Sequence, residues 1–550
     1  HVDPRFTRTS AVADKHIAIR AGSDVVLLGA LINHVLSNDL WFHDYVLAYT
    51  NAATLVNEDF RDTEDLDGLF SGFDPETGKY DQSTWAYDEP GGDKVQDPDS
   101  SDESAEPETA QSEQAGSGGP PLEHGEPLRD ETLQHPRTVF QILKRHYSRY
   151  TPETVQELCG IGAEDFTYLA DALTENSGRE RTTCFGYATG WTQHTLGAQF
   201  IRTAAILQLL LGNVGRPGGG IMALRGHASI QGSTDIPTLF NLLPGYLPMP
   251  TAGVHDTIED YLGSIASKRQ KGYWVDADAY FVSLMKAYFG DAATVENDWA
   301  YDHLPRLTGP HGTYQTVMGM LDDEVEGYFV LGQNPAIGSA NGRMQRLGMA
   351  HLKWMVVRDL SLIETATWWK DSPEIVSGEL RTEDIETEVF FMPAATHVEK
   401  SGTFTQTQRL LQWRHQAVAP PGEAQSELDF FHQLGVRIRE LVADSGDDRD
   451  QPLRDLVWDY PLDAHGDVIP ESVLAEINGY RYVPQRSGQD SEPSGGLVDT
   501  GLVGTGLVDT AGGPREMLSG FGELRADGST ACGCWIYSGV YAGGENRAAR

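Results

Sequence analysis

The chain has 550 residues and a formal net charge of −40, and at roughly 150 residues per domain it is long enough for several domains. Such acidity argues against sequence-independent binding to nucleic acid, whose phosphates attract basic surfaces. An apolar content of 39% and 11 tryptophans predict packed cores, and no apolar run approaches the length of a membrane span. The chain shows no signal peptide and begins at His1, so we expect it to be an internal piece of a longer product.

The first forty residues predict alternating strands and helices. His1–Asp3 resembles the end of a strand, Thr9–Asp14 a short helix, and Ile17–Ile19 a second strand. A helix begins next, and either Ser23 or Asp24 is suited to be its N-cap. Apolar residues then recur at helical spacing, which predicts that one face of this helix is buried.

Two stretches have the composition of loops. From Gly91 to Asp130 the residues are mostly Asp, Glu, Ser, Pro and Gly. They cannot bury enough apolar surface to offset the entropy of ordering, which predicts a disordered surface insertion. From Gly496 a five-residue pattern repeats as GLVDTGLVGTGLVDT, which is too short for a solenoid and predicts a loop or a β-rich connector.

From Glu326 onward, three apolar segments predict parallel strands. They are GYFVLGQNP, LKWMVVRDLSLIET and TEVFFMPAATHVEKSGTF, and each ends in polar loop residues. Apolar runs without strict alternation are typical of strands that are covered on both faces. Their alternation with helical segments predicts a doubly wound α/β architecture.

The four cysteines are Cys159, Cys184, Cys532 and Cys534. Their spacing matches neither a zinc site nor the cysteine-rich run of an iron–sulfur cluster. Cys532 and Cys534 are also too close in sequence for an ordinary disulfide. We therefore expect structural or inert thiols and no metal ligand in this chain.

Two short segments near the start place carboxylates after predicted strands. Asp3-Pro4-Arg5 follows the first strand, and Gly22-Ser23-Asp24 follows the second. A carboxylate at a strand end can accept paired hydrogen bonds from a ribose or a guanine edge, and a separation of about twenty residues is typical of a nucleotide-binding α/β half. Taken alone, each carboxylate is a weak signal, because an Asp before a helix is usually only a helix cap.

The segment from Tyr187 to Gly245 predicts a strand, a polar turn, a long apolar-faced helix, a glycine break and a polar loop. Its turn, Gly190-Trp191-Thr192-Gln193-His194, is either an ordinary strand-to-helix turn or a loop that binds a ligand. The glycine-rich stretch Val214–Gly220 lacks a GK[ST] ending and predicts no helix directly after it, which excludes a Walker phosphate loop. Its glycines are expected to end the helix and to let the chain approach a ligand closely.

The polar loop Arg225–Gly232 has the sequence RGHASIQG. A lone arginine is usually a surface charge. Arg225, however, follows a predicted buried helix and lies among Gly, Ser and Gln. The planar fork of donors on its guanidinium group suits a small carboxylate.

In this order, these segments resemble the middle of the large subunit of molybdenum- or tungsten-dependent formate dehydrogenases, in the respiratory, membrane-associated branch. The likeness spans nearly the whole chain apart from the acidic insertion and the short repeat. Residues Arg225 to Gly232 match the R-G-x-x-x-x-Q-G motif of these enzymes in full. The resemblance implies that Arg225 orients formate and that His227 assists it electrostatically.

The resemblance also implies which residues bind cofactor. In the family, D-P-R and G-[ST]-D line a guanine dinucleotide site, the turn after the strand binds the pterin, and later strand ends bind pterin and nucleotide. The residues so implied are Asp3, Arg5, Gly22, Asp24, Gly190, Trp191, Thr192, Gln193, His194, Gln231, Gly232, Gly332, Gln333, Asn334, Asp359, Thr365, Glu399, Gly402 and Arg409.

The fold implied by the resemblance is α/β, with two doubly wound Rossmann-like domains of the molybdopterin oxidoreductase (DMSO reductase-like) type. We expect the first domain over residues 1–320, the second over 321–445, and a connector toward a cap domain over 446–550. The amino-terminal iron–sulfur domain, the Sec or Cys metal ligand with its following His, and the carboxyl-terminal β-barrel domain are expected to lie outside this stretch.

The activity implied is oxidation of formate to carbon dioxide at a Mo or W centre held by two molybdopterin guanine dinucleotides. A [4Fe–4S] cluster in the full subunit, an iron–sulfur subunit and a cytochrome b membrane subunit would carry electrons to a respiratory acceptor. The expected location is the outward face of the cytoplasmic membrane, or otherwise the cytoplasm. The alternatives are a nitrate- or arsenite-type molybdopterin oxidoreductase, or a non-catalytic scaffold like the relative in respiratory complex I.

Overall fold

A computed structural model of the protein describes residues 1–88, 127–224, 226–265, 272–407, 410–483 and 515–549. The predicted acidic insertion lies outside these ranges except for residues 127–130. The short repeat from Gly496 and two predicted site residues, Arg225 and Arg409, also lie outside them.

The chain forms two compact units, His1–Gly226 and His227–Arg550. The described helices of the first unit are α1 Asp24–Ser37, α2 His43–Tyr49, α3 Val139–Tyr147, α4 Pro152–Cys159, α5 Ala163–Glu175, α6 Thr189–Thr192 and α7 Gly197–Leu210. Its strands are β1 Phe73–Asp74, β2 Lys79–Tyr80, β3 Cys184–Tyr187 and β4 Gly220–Ala223. A short 3₁₀ helix, Ser10–Val12, confirms the first predicted helix.

The core of the first unit is built around α1 and α7. Helix α1 buries Leu28, Leu31, Ile32 and Val35, which confirms the predicted buried face, and its burial extends beyond one face because every residue from 27 to 32 is buried. It packs against α7 within one hydrophobic cluster that α3, α4 and α5 complete. Burial of each such side chain contributes about 1.5–3 kcal/mol, so this cluster is the main source of stability of the unit.

Parallel pairing is present in the first unit. Val2 pairs with Ile17 in a parallel bridge, so the two predicted opening strands lie side by side. Strand β3 pairs in parallel with β4, from Cys184 opposite Gly220 to Tyr187 opposite Ala223. The glycine break was expected to lead directly into a loop, and strand β4 corrects that expectation. Its four residues, GIMA, are too few to show a strand period in the sequence.

The described helices of the second unit are α8 Ile230–Asp235, α9 Ile258–Ser264, α10 Ala277–Phe289, α11 Thr313–Leu321, α12 Pro335–Gly338, α13 Gly342–Met349, α14 Glu364–Asp371, α15 Pro373–Ser377, α16 Glu427–Val442, α17 Gln451–Asp455 and α18 Pro470–Asn478. Its strands are β5 Leu242–Leu243, β6 Leu247–Pro248, β7 Gly327–Leu331, β8 Trp354–Asp359, β9 Glu388–Pro393, β10 Gly402–Thr405, β11 Leu411–Arg414, β12 Tyr480–Tyr482, β13 Arg515–Met517 and β14 Thr530–Ala531.

Strands β7, β8 and β9 form a parallel sheet in that order, which confirms the three predicted parallel strands. Helices α12 and α13 connect β7 to β8, and α14 and α15 connect β8 to β9. Strand β8 is the centre of the sheet and buries Met355, Val356 and Val357, as expected for a strand covered on both faces. A doubly wound sheet contains a point at which the strand order reverses. These three described strands lie in sequential order, so the doubly wound arrangement stays a prediction.

The predicted connector, 446–550, contributes to hydrophobic cores in its described part. Leu518 and Leu524 pack in one cluster with Tyr261, Tyr280 and Phe281. Strand β12 also pairs with both β13 and β14 in an antiparallel sheet. These contacts join residues 242–304 to the second unit, so the compact units divide far before residue 320. The predicted boundary of the two dinucleotide-binding domains remains a prediction.

The four cysteines are free thiols; Cys184 is exposed, and Cys159, Cys532 and Cys534 are buried. Burial raises the pKa of the Cys532 thiol to about 11, so it is protonated at neutral pH. In the described ranges, no helix is both long and apolar enough to cross a membrane.

Glu476 on α18 couples the stability of the second unit to pH. Burial raises the pKa of its carboxyl group to about 7, while Tyr460 donates to both carboxylate oxygens at 3.0 and 3.1 Å. An unfolded glutamate titrates near pH 4.3, so the unfolded chain loses this proton first as pH rises. The contribution of Glu476 to stability should therefore be greatest below about pH 4.3 and fall by up to about 3 kcal/mol by pH 7.

We predict that Glu476→Gln removes this part of the pH dependence, because the amide cannot ionise. The measurement is the midpoint of thermal unfolding at pH 5 and pH 8 for both proteins. Glu440→Gln, which changes an exposed glutamate that pairs with Arg437, is the control and should keep the normal profile. Equal pH dependence in Glu476→Gln and the unmodified protein would contradict the prediction.

Candidate functional site

Asp24 and Trp191 come together although 167 residues separate them. Asp24 is the first residue of α1, and its Oδ1 accepts a hydrogen bond from Trp191 Nε1 at 3.0 Å. The Trp191 ring stacks on Tyr187 at the end of β3, with ring centroids 5.2 Å apart. Of the two expected caps, Ser23 occupies the N-cap position without a side-chain capping bond, and its hydroxyl donates to the Arg20 carbonyl instead.

The first carboxylate segment forms a tight turn. Asp3 Oδ1 accepts from the Arg5 backbone N–H at 2.7 Å, and the Arg5 side chain is exposed. Arg5 lines an open cleft together with Phe6, Thr7 and Arg8. Gly22 adopts φ +86°, and a β-carbon there would meet no atom within 4 Å, so its backbone borders open space.

The predicted pterin loop is helical for part of its length. Helix α6 covers Thr189–Thr192, which corrects the expectation of a simple turn. Thr192, Gln193 and His194 are exposed, and open space surrounds Gly190. The polar side chains are therefore accessible to a ligand, but the structure brings only Trp191 of this loop to another predicted site residue.

In the predicted substrate loop, Arg225 lies outside the described residues, and His227 is exposed. Gln231 begins the network that follows. Its Nε2 donates to Asp235 Oδ1 and to the Tyr246 hydroxyl, both at 2.9 Å. A β-carbon on Gly232 would lie 2.6 Å from Ser229 Oγ, so a larger residue there would displace the Ser229 side chain.

The end of β7 carries a second cluster of predicted residues. The Asn334 side chain accepts from the Thr365 hydroxyl at 2.7 Å and from its backbone N–H at 3.2 Å. Asn334 Nδ2 donates to Glu364 at 2.7 Å, and this bond lowers the pKa of the Glu364 carboxyl group. Thr365 is fully buried and also accepts from the Ala336 backbone N–H at 3.1 Å. The end of β7 is thereby tied to the start of α14.

A buried ion pair lies directly behind this cluster. Arg346 on α13 binds Glu374 on α15 through Nε at 2.6 Å and Nη2 at 2.9 Å, and its Nη1 donates to the Ala336 carbonyl. The hydrogen bonds from Arg346 lower the pKa of the Glu374 carboxyl group. The bidentate contact with a third bond to the backbone satisfies both charges, which burial requires.

The other predicted strand-end residues do not join a common network. Asp359 ends β8 and accepts from the Leu360 backbone N–H at 2.7 Å. Glu399 accepts from the Thr396 N–H at 2.8 Å and so closes a local turn. Gly402 begins β10 with φ +155°. Gln333 is exposed beside Gly332, and Arg409 lies outside the described residues.

These positions fit a nucleotide-type ligand by their chemistry. Gly332 has φ +59° and open space where a β-carbon would stand, so main-chain groups are accessible at the end of β7. Gln333 follows β7 and Asp359 ends β8, and ligands of open α/β sheets bind at such carboxyl ends of parallel strands. Carboxylate and amide groups at such a place can bind ribose and base edges. Among the described residues, no group of three or more His, Cys, Asp or Glu side chains could hold a metal ion.

Several residues of these clusters escaped prediction. Glu364 and Tyr246 contact predicted residues directly, and Asp235 contacts Gln231. The four-residue spacing from Gln231 to Asp235 was the available signal, because residues i and i+4 of a helix are neighbours. Tyr537 donates to Asp235 across 302 residues of sequence, and a single sequence holds no signal for such a pair.

The class of protein is indicated by a family comparison. Residues 378–437 match the family model described as Molybdopterin oxidoreductase. This match includes Glu399, Gly402 and strand β9, and so lies at the end of the parallel sheet.

Three individual relatives are subunits of formate dehydrogenases. The chain is 37% identical over 546 residues to the major subunit of the nitrate-inducible formate dehydrogenase of Escherichia coli (strain K12), covering 98% of this chain and 48% of that subunit. It is 36% identical over 553 residues to the formate dehydrogenase-O major subunit of the same organism, covering 100% of this chain and 49% of that subunit. Formate dehydrogenase 2 subunit alpha (cytochrome c-553) of Nitratidesulfovibrio vulgaris is 36% identical over 98% of this chain and 47% of that subunit.

The predicted resemblance is confirmed: the chain is a homologue, over nearly its full length, of formate dehydrogenase major or alpha subunits. It spans about half the length of these relatives. Acetylene hydratase from Pelobacter acetylenicus is similar in structure over 79% of this chain and 42% of that chain. The TM-score is 0.38 and the sequence identity 14%, so the likeness carries no argument.

We predict that Thr365→Val destabilises the second unit, because it leaves the Asn334 carbonyl oxygen and the Ala336 N–H without their hydroxyl partner. The expected loss is about 1–3 kcal/mol in the free energy of unfolding, measured by chemical denaturation. Thr367→Val is the control, since that hydroxyl donates only to its own helix, to the Ile363 carbonyl at 3.4 Å. Equal losses in the two variants would show that the link between β7 and α14 does not matter.

Proposed function

We propose that this chain is part of the catalytic subunit of a formate dehydrogenase. The reaction is the oxidation of formate to carbon dioxide, with release of one proton and two electrons. The observation that carries the proposal is identity of 36–37% to formate dehydrogenase major subunits along 98–100% of this chain. The intact RGHASIQG loop at Arg225–Gly232 supports the choice of formate over other substrates of the wider class.

The proposed cofactor is a Mo or W centre with two molybdopterin guanine dinucleotides, which when bound supplies the two-electron redox chemistry. Asp24, Gln333 and Asp359 would hold nucleotide parts, since carboxylate and amide groups at strand ends suit ribose and guanine edges. Thr192, Gln193 and the main chain at Gly190 would contact the pterin. These assignments rest on the family resemblance and on the exposure of Gln333, Thr192 and Gln193, while Asp24 and Asp359 are half-buried.

Arg225 would bind the formate carboxylate through two parallel N–H donors. This two-contact binding would orient the C–H bond of formate and neutralise its charge. Carbon dioxide is neutral, so the product would lose this attraction and depart. His227, which follows two residues later in the sequence and is exposed, would contribute electrostatically to formate binding. The protein groups thus bind and orient the substrate, and the redox step belongs to the cofactor.

The proposal extends to electron transfer partners and location. Electrons would leave through a [4Fe–4S] cluster of the full subunit to an iron–sulfur subunit and a cytochrome b membrane subunit, and then to a respiratory acceptor. The location that suits such an assembly is the outward face of the cytoplasmic membrane. These points rest on the resemblance to the respiratory branch alone.

The decisive test is Arg225→Lys in the complete enzyme. Lysine keeps the charge but presents a point donor, so the planar two-contact grip is lost. Loss of one preorganised donor at a reacting centre costs roughly 10²–10³ in rate. The measurement is steady-state formate oxidation with an artificial acceptor, normalised to bound metal.

Arg437→Lys is the matched control, because Arg437 is an exposed arginine on α16 and pairs with Glu440 on the same helix. It should leave the rate unchanged, since exposed charge substitutions usually change stability by no more than about 0.5 kcal/mol. If Arg225→Lys keeps more than about half of the normal rate, the substrate role of the loop is wrong.

A second prediction concerns the guanine dinucleotide. Asp24→Asn should lower the amount of bound guanine nucleotide, because an amide cannot offer two charged acceptor oxygens to a guanine edge. The amide oxygen can still accept from Trp191, so the local packing is preserved. Asp44→Asn in the first turn of α2 controls for loss of an acidic residue at a helix start. Unchanged nucleotide content in Asp24→Asn, measured after denaturation, would make Asp24 a structural residue.

A further inference from the structure

A buried carboxylate, Asp235, lies at the end of the helix that follows the predicted substrate loop. Asp235 is the last residue of α8 and is fully buried. Its Oδ1 accepts from the Tyr246 hydroxyl at 2.8 Å and from Gln231 Nε2 at 2.9 Å. Its Oδ2 accepts from the Tyr537 hydroxyl at 2.8 Å. The proposed mechanism gives this carboxylate no part in the reaction.

Burial makes each of these donors important. A carboxylate that leaves water must recover its lost hydration through hydrogen bonds, and bonds to an ionised acceptor are about twice as strong as neutral ones. Tyr537 also lies 2.8 Å from Thr405 Oγ1 on β10, and the Thr405 N–H donates to Ser229 Oγ at 3.3 Å. The carboxylate therefore links α8 to β10 and to the segment that contains Tyr537.

The carboxylate also determines the orientation of the Gln231 side chain. Both carboxylate oxygens of Asp235 accept hydrogen bonds, and the amide of Gln231 accordingly turns its NH₂ group toward Asp235. The second amide hydrogen is directed to the Tyr246 hydroxyl at 2.9 Å. Both donors of the amide are thus engaged, and its carbonyl oxygen Oε1 is left to accept from a further group.

An amide held in this way discriminates between two kinds of ligand. Formate presents only acceptor oxygens, so the Gln231 carbonyl oxygen would repel it. A pterin presents ring and amino N–H groups, and the Gln231 carbonyl oxygen can accept hydrogen bonds from them. The network therefore favours a heterocyclic N–H donor at Gln231, while the carboxylate substrate is left to Arg225.

We propose that Asp235, held by Tyr246 and Tyr537, is a positioning residue that turns the Gln231 carbonyl oxygen toward an N–H group of the pterin cofactor. This inference deepens the proposed function and rests on it for the identity of the cofactor. It adds Asp235, Tyr246 and Tyr537 to the residues on which cofactor binding depends, although none of them touches the ligand.

The test is a polarity exchange in the complete holoenzyme. Asp235→Asn allows the Gln231 amide to turn, and Gln231→Glu places two carboxylates against each other. Each change should raise the rate of cofactor dissociation about tenfold, the equivalent of about 1.4 kcal/mol. In the double variant D235N/Q231E, the new amide donates to the new carboxylate, which still offers an outward acceptor oxygen. Its dissociation rate should return to within about threefold of normal.

Dissociation is followed as the loss of guanine nucleotide and metal from the holoenzyme during dialysis. The midpoint of thermal unfolding is measured for each variant as well. If the double variant loses cofactor as fast as the worse single variant, the positioning role is overturned. The same holds if both single variants retain cofactor normally. No formate enters this measurement. If the unmodified enzyme failed to oxidise formate, the proposed function would be overturned, but the dissociation rates of the cofactor would still test the positioning role of Asp235.

Tyr537→Phe keeps the test valid if the charge variants do not fold. It removes one donor to Asp235 and should raise the dissociation rate about threefold. Tyr261→Phe is its matched control, because Tyr261 is a fully buried tyrosine of the same unit whose hydroxyl donates to the Pro248 carbonyl at 2.9 Å. Equal dissociation rates in the two variants would exclude the positioning role.

Discussion

Buried polar groups must find hydrogen-bond partners. The cluster around Thr365 and the cluster around Asp235, both in the second unit, depend on this constraint. Thr365 is fully buried, and its hydroxyl satisfies Asn334 and the backbone at Ala336 together. Asp235 is fully buried as well and accepts hydrogen bonds from Gln231 on its own helix and from two separate segments, at Tyr246 and Tyr537. In each case the penalty for an unpaired group makes one arrangement of loops much more stable than its alternatives.

This constraint explains how flexible connections become rigid binding surfaces. Loops after parallel strands carry the ligand-binding residues of α/β proteins, yet their own main chain has few regular hydrogen bonds. Around β7 the ion pair Arg346–Glu374 supplies the rigidity from behind, through its bond to the Ala336 carbonyl. Side chains held in place before a ligand arrives lose less entropy on binding.

The division of chemistry follows from the same placement. Groups at strand ends such as Gln333 and Asp359 are accessible and polar, and suit the recognition of a dinucleotide. The proposed substrate contact comes instead from Arg225, in a segment between strand β4 and helix α8. In the proposed function the cofactor would perform the redox step, so the protein would contribute orientation and electrostatics, which require fixed side chains more than reactive ones.

The sequence by itself determined the periodic elements and the order of the binding segments. The buried face of α1 and the three strands β7, β8 and β9 could be predicted, because apolar spacing and run length are local properties. The family resemblance also came from local segments such as Arg225–Gly232, read in order along the chain.

Only the tertiary structure decided the pairings between distant residues. Trp191 with Asp24 and Tyr537 with Asp235 are contacts whose partners lie far apart in the chain. Strand β4 was missed for a related reason, since its four residues are stabilised by pairing with β3 and not by any pattern of their own. Hydrogen bonding and burial at these positions depend on the folded chain, so no local pattern in one sequence encodes them.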